Sequence, residues 1–142
     1  MGDVYNMLQT KVETFKREEK HAVLLVDEMS IKPGLQYNSI AAVIGLPTMK
    51  LSNGADNTEF SATHSLVYML CGVSSKWKQT VGYEYTGNSF CPRQIMSNIM
   101  TIIQKSHEIG LSTHTAHVDT EKVLRISQQY ITYILIAFEY VL

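Results

Sequence analysis

Four successive apolar side chains, Val23, Leu24, Leu25 and Val26, run straight into two carboxylates, Asp27 and Glu28, within the stretch "VLLVDEMSIK". Neighbouring side chains of a strand point to opposite faces, so an unbroken aliphatic run suits a strand covered on both sides better than one with a wet face. Such a strand lies inside a sheet and requires layers above and below it. In open α/β sheets, ligands and chemistry gather outside the carboxyl ends of the strands, where an acid meets a substrate or a metal ion. Asp27 is therefore the first candidate site residue. From the bare residues alone it is a strand-end carboxylate capping a local turn.

The rest of the chain supplies partners for that strand. Its 142 residues are the length of one ordinary domain, long enough to bury a core without disulfides or a structural metal. Val4, Met7, Leu8, Val12 and Phe15 recur at near-helical spacing and the charged cluster 16–20 follows, which predicts a helical lead-in over residues 1–20. Turn formers crowd residues 33–57 and predict loops broken by short extended pieces, one of them at 40–44. Residues 63–73 suit a second strand and 79–86 a third, in which Val81, Tyr83 and Tyr85 alternate with Gly82, Glu84 and Thr86; "SSKWK" is the hairpin turn between them. From 92 to 109 the period changes, with Ile95, Ile99, Ile102 and Ile103 in one stripe between Pro92 and Gly110, a helix with a suitable start and stop. Residues 111–118 then predict a fourth strand ending at Asp119, reached by a crossover from one sheet strand to another.

Composition narrows the function. Twelve Lys and Arg against 13 Asp and Glu leave a net charge of -1, which does not favour strong autonomous DNA binding. Cys71 and Cys91 lack Cys-x-x-Cys spacing and no signal peptide precedes them, which predicts reduced thiols. The apolar stretch 130–142 contains Glu139 and falls short of the roughly 20 residues a bilayer span needs. A soluble, intracellular α/β domain is the reading from composition.

In order along the chain, "LLVDEMSIKPGLQYN", "VIGLP", "LSNGADNTEF" and "GVSSKWKQTVGYEYTGNSFCP" resemble the RNase H-like catalytic domain of P element-type transposases, the group that includes the THAP-domain transposases. The resemblance covers about residues 4–119. It implies an α/β fold, an RNase H-like mixed sheet with flanking helices, and a cluster of three acids binding Mg²⁺ or Mn²⁺. Hard oxygen donors suit such ions, and two ions about 3.5–4 Å apart would serve phosphodiester cleavage and strand transfer. Asp27 corresponds to the family's first catalytic and metal-binding acid and Asp119 to the second. Adjacent strand ends lie about 4.8 Å apart, close enough for two acids to share a metal. The third acid has no matching position, and the late Glu139 sits in "LIAFEYVL", which corresponds to nothing in the family.

The expectation is accordingly a lead-in at 1–20, a partial RNase H-like domain at 21–119 that is incomplete at its C-terminus, and a divergent helical tail at 120–142. That tail carries helical spacing at Val123, Ile126, Tyr130, Tyr133, Ile134, Ala137 and Val141, suiting either a cover for the sheet or an oligomer contact. The resemblance implies a fragment of a DNA transposase, nuclear and DNA-binding, inactive alone. The alternative is a non-catalytic, domesticated remnant acting in binding or oligomerisation, with a second copy or a full-length relative as partner. The zinc-coordinating THAP module and the inserted nucleotide-binding region of such transposases have no counterpart in the sequence.

Other residues invite sharper readings. Glu28 points away from Asp27 if the strand continues, which makes it a structural or solvent-facing residue. Trp77, between Lys76 and Lys78, either stacks on a base or shields the sheet edge. His114 and His117 face opposite sides of a strand and have no Cys partners, an arrangement against zinc. His64, in an apolar segment, reads as a hydrogen-bonded interior or edge histidine, and "LSNGADN" as a turn rather than a phosphate loop.

Overall fold

The apolar run becomes the centre of the ten-residue strand β1 (His21–Ser30). The computed structural model describes residues 2–34, 36–37, 43–50, 55, 60–87 and 91–119, with side chains at all of them except 36, 37, 43, 44, 92 and 114–119. The order is α1 (Gly2–Glu13), a 3-10 turn (Arg17–Lys20), β1, β2 (Gln36–Tyr37), β3 (Val43–Ile44), β4 (His64–Gly72), β5 (Lys78–Thr86), α2 (Pro92–Glu108) and β6 (Ser112–Asp119). The main sheet has four strands in the order β5-β4-β1-β6, while β2 and β3 form a separate antiparallel pair. Strand β1 pairs antiparallel with β4 and parallel with β6, so α2 carries the chain across the sheet from one edge to the other. The predicted strands and long helix thus form, and the predicted piece at 40–44 is described only at Val43–Ile44.

Alternation along β1 puts Ala22, Leu24 and Val26 fully inside, each 0% exposed, whereas Val23 and Leu25 are half-buried. Cover on both faces was the expectation; among the described residues, both helices pack on the inner face. Tyr5, Leu8 and Val12 of α1 and Ile95, Ile99, Ile102 and Ile103 of α2 join Leu66, Tyr68, Leu70 and Val81 in one core. Met7, expected in the apolar stripe of α1, is exposed, and Tyr5 takes its place beneath the Lys105 ammonium, 5.3 Å from the ring centroid. That cation–aromatic contact joins the two helices.

Helix α2 starts at Pro92, whose missing amide has no helical partner to lose. It ends in Gly110 at φ 90, where the Gly110 N–H bonds the His107 carbonyl at 3.0 Å and the Leu111 N–H bonds that of Ser106 at 2.9 Å. This pair of bonds closes the last turn and needs a residue free to adopt the left-handed conformation.

The β4–β5 pairing contains a bulge: Tyr68 faces Gly82 and Met69 faces Thr80, leaving Val81 without an opposite number. The extra residue shifts the alternation by one. Val81 consequently turns inward at 1% exposure while Tyr83 and Tyr85 turn outward, correcting the prediction that all three share a face. At the hairpin, the Gly72 N–H bonds the Trp77 carbonyl at 2.9 Å. Trp77 is buried against Phe15 with ring centroids 5.4 Å apart, and its indole N–H donates to the Glu19 carbonyl at 3.1 Å. It belongs to the core rather than to an exposed stacking surface. No helix among the described residues is long and apolar enough to cross a membrane.

Two substitutions test this packing in urea denaturation. Ile102→Ala, at a fully buried site, should lower stability by about 2–5 kcal/mol through lost burial and a cavity. Gly72→Ala should cost roughly 1–3 kcal/mol, because its new methyl would stand 2.5 Å from both the Ser75 carbonyl oxygen and the Trp77 Nε1.

Candidate acidic site at the strand ends

Asp27 lies near the carboxyl end of β1, exposed, on the face opposite both helices. Its Oδ1 accepts the Glu28 backbone N–H at 2.8 Å, which fixes one carboxylate oxygen. The parallel register sets Asp27 directly beside Asp119 on β6. Adjacent strands are about 4.8 Å apart, so the backbone brings these two acids together. On its other side Asp27 pairs with Val67, and Val67 with Tyr83, so one row of the sheet carries Asp119, Asp27, Val67 and Tyr83.

Glu28 belongs to the opposite face. Its side chain is only 11% exposed, with Oε1 4.0 Å from His64 Nε2, and the other ring nitrogen of His64 lies 2.8 Å from the Thr63 hydroxyl. His64 is thus a partnered, half-buried histidine, as its apolar surroundings predict, and Glu28 is structural rather than a partner of Asp27. Cys71 and Cys91 are free thiols.

Sequence reasoning missed a second polar cluster, on the inner face of β5. Glu84 accepts from the Thr48 hydroxyl through Oε2 and from Asn98 Nδ2 at 3.3 Å through Oε1; the same amide reaches the Tyr68 hydroxyl at 3.2 Å. Thr48 and Met49 also donate their N–H groups to the Tyr85 carbonyl, and the Tyr85 N–H returns a bond to the Thr48 hydroxyl at 2.8 Å. The loop at 45–50 therefore clips onto the outer end of β5. The signal in the sequence was Glu84 between two tyrosines, but its inward direction depends on the bulge.

A divalent cation with hard oxygen preference fits the donor type at Asp27, a carboxylate exposed at a strand end. Among the described residues, no group of three His, Cys, Asp or Glu side chains converges on one point. The side chains of His114, His117 and Asp119 lie outside the described set, as do "LSNGADN" apart from Ala55, Glu139 and the tail 120–142.

An open mixed sheet in the order β5-β4-β1-β6, with a crossover helix leading to a strand parallel to β1, defines an RNase H-like fold of the transposase type. Residues 1–126 match the family described as TNP-like, RNase H N-terminal domain, and the chain belongs to that family. Its fold is similar to a solved structure, the Drosophila P element transposase strand transfer complex, at a TM-score of 0.59 and 18% identity over 89% of this chain. The chain spans 24% of the length of that transposase chain. No curated protein matches.

Two buried phenols make the fold sensitive to alkali. Burial pushes Tyr5 up to about 12 and Tyr68 up to about 12 from an ordinary value of 10.0, with the Glu84 charge adding to the rise at Tyr68 and the Asn98 hydrogen bond opposing it. Each phenol holds its proton more tightly folded than unfolded. Their stabilisation is complete below about pH 10 and is lost as the pH rises toward 12. Urea midpoints should fall across that window, and Tyr68→Phe should flatten the fall.

Proposed function

We propose that this chain is the RNase H-like portion of a P element-type DNA transposase, related to the THAP-domain transposases, acting on DNA in the nucleus. In this reading Asp27 and Asp119 are the first two acids of a divalent-metal site. The observation that carries it is the parallel register of Asp27 with Asp119 at the carboxyl ends of neighbouring strands. Two acidic residues at neighbouring strand ends would suit Mg²⁺ or Mn²⁺, whose Lewis acidity, when such an ion is bound, would activate an attacking oxygen and stabilise a leaving one on a phosphodiester.

The chain's own groups do the positioning. The Glu28 N–H donates to Asp27 Oδ1, so one of the two carboxylate oxygens is already held by the backbone. Close carboxylates repel one another, so a cation between them is favoured over the empty pair. Glu28 does not serve as a third ligand, since its carboxylate is turned to His64 on the other face. On this reading Asp27 and Asp119 are two of the family's three acids, and cleavage of DNA requires the third. A second reading, a non-catalytic remnant that binds or oligomerises, draws on the exposed Met29 and Val73, 53% and 59% accessible.

Calorimetric titration with Mn²⁺ and Mg²⁺ tests the site. Asp27→Asn removes charge at nearly constant shape and should abolish the binding seen in the parent chain, with an unchanged circular dichroism spectrum. Equal metal affinity in the two proteins would rule the assignment out.

A further inference from the structure

We propose that the outer face of β5 is a seat for single-stranded DNA, with Lys76 and Lys78 on its phosphates and Tyr83 and Tyr85 under its unpaired bases. The proposal rests on the transposase reading for its direction, because the strip leads across the sheet to Asp27.

Register defines the strip. Lys78, Thr80, Tyr83 and Tyr85 pair with Cys71, Met69, Val67 and Ser65 of β4. The first three of these partners pair in turn with Val23, Leu25 and Asp27, so the strip shares the face of Asp27. The bulge at Val81 is what brings this about: without it, the residue numbering that exposes Lys78 and Thr80 would turn both tyrosines inward. Burial pushes the Cys71 thiol up, and the ammonium of Lys78, its partner across the pairing, opposes that rise.

Its charge suits a polyanion. Between residues 76 and 86 the one acid is Glu84, and its carboxylate is withdrawn to the other face by Thr48 and Asn98. What remains outward on β5 is the Lys78 ammonium, a hydroxyl and two phenols, and the exposed Lys76 adds a second ammonium from the adjoining hairpin turn. Lys76 and Lys78 border an open depression of about 520 Å³ that Ser74 and Ser75 also line. This local pattern coexists with the near-neutral charge of the whole chain, which limits the seat to few phosphates.

The aromatic end suits bases. Tyr83 is 60% exposed and Tyr85 36%, with ring centroids 5.4 Å apart and planes inclined at 58°. Rings so tilted do not cover each other's faces, and each keeps a surface on which a base can stack. The Thr48 bonds to the Tyr85 backbone pin this end of the edge strand to the 45–50 loop, which favours a preorganised surface. Duplex bases are already stacked and cannot present their faces, so the ligand is a single strand. Tyr83 stands two strands from Asp27 in one row, about 10 Å away, and roughly 15 Å of β5 separates it from Lys78. A strand lying along β5 from the lysines to the tyrosines would bring its continuation to the acidic site.

The test is fluorescence anisotropy of a labelled oligothymidylate with the intact chain at low salt, without metal, beside a duplex of equal length. The parent should prefer the single strand. Tyr83→Leu with Tyr85→Leu, both at exposed positions, should weaken it at least about thirtyfold, while Lys76→Gln with Lys78→Gln should reduce the salt slope by about 1.4, the release expected from two phosphates. No binding by the parent, preference for duplex, or unchanged affinity in the tyrosine variant would each overturn the seat. So would loss of self-association in sedimentation on changing the tyrosines, which would assign the patch to a second copy of the chain. Mn²⁺ calorimetry on the same proteins separates the two ideas: tyrosine-dependent oligonucleotide binding without any metal binding leaves the seat standing and removes the metal reading, and the reverse result removes the seat alone.

Discussion

The structure depends on β1 having a partner along each edge and a layer of side chains over one face. A strand in that position must pair its N–H and C=O groups on both sides, since a buried and unpaired backbone group is costly. Strand β4 satisfies one edge by turning back antiparallel, and β6 satisfies the other in parallel. The parallel partner has a geometric consequence: its carboxyl end lies beside the carboxyl end of β1, and so Asp119 arrives next to Asp27. Helix α2 makes this possible, because a parallel return needs a crossover long enough to span the sheet. Its isoleucine stripe then covers Leu24, Val26 and Tyr68, so one element supplies both connection and core.

From this arrangement the two faces take on different work. Inward, Glu28 and Glu84 are carboxylates that a core would normally exclude, tolerated because His64 stands beside one and Thr48 and Asn98 bond the other. Outward, Asp27 is exposed near the end of the strand, in the same row as Tyr83. Consecutive residues Asp27 and Glu28 thus have separate fates for the simple reason that the pleat alternates. Fold alone does not establish activity; the transposase reading draws its chemistry from the two acids in register, and the family match supplies the context in which such a pair has a use.

Much of the architecture was legible because local rules and tertiary needs agreed. Pro92 and Gly110 bracket α2 as their backbone preferences require, and the "SSKWK" turn closes the hairpin between β4 and β5. Where the reading failed, a long-range contact had overruled a local pattern. Met7 lost its place in the core to Tyr5, whose ring also meets Lys105. Val81 parted from Tyr83 and Tyr85 because the bulge lies in the pairing between two strands, and alternation within one strand holds no record of it.

By itself, then, the sequence determined the succession of elements, their approximate limits and the acid at the end of each parallel strand, because periodicity, turn residues and helix stops are local properties of the chain. The tertiary structure alone decided which strand lies beside which, that Asp27 and Asp119 are in register, that Glu84 faces inward, and that Trp77 packs on Phe15 instead of meeting solvent. Those outcomes rest on pairing and packing between residues distant in sequence, whose energies appear only when the layers close.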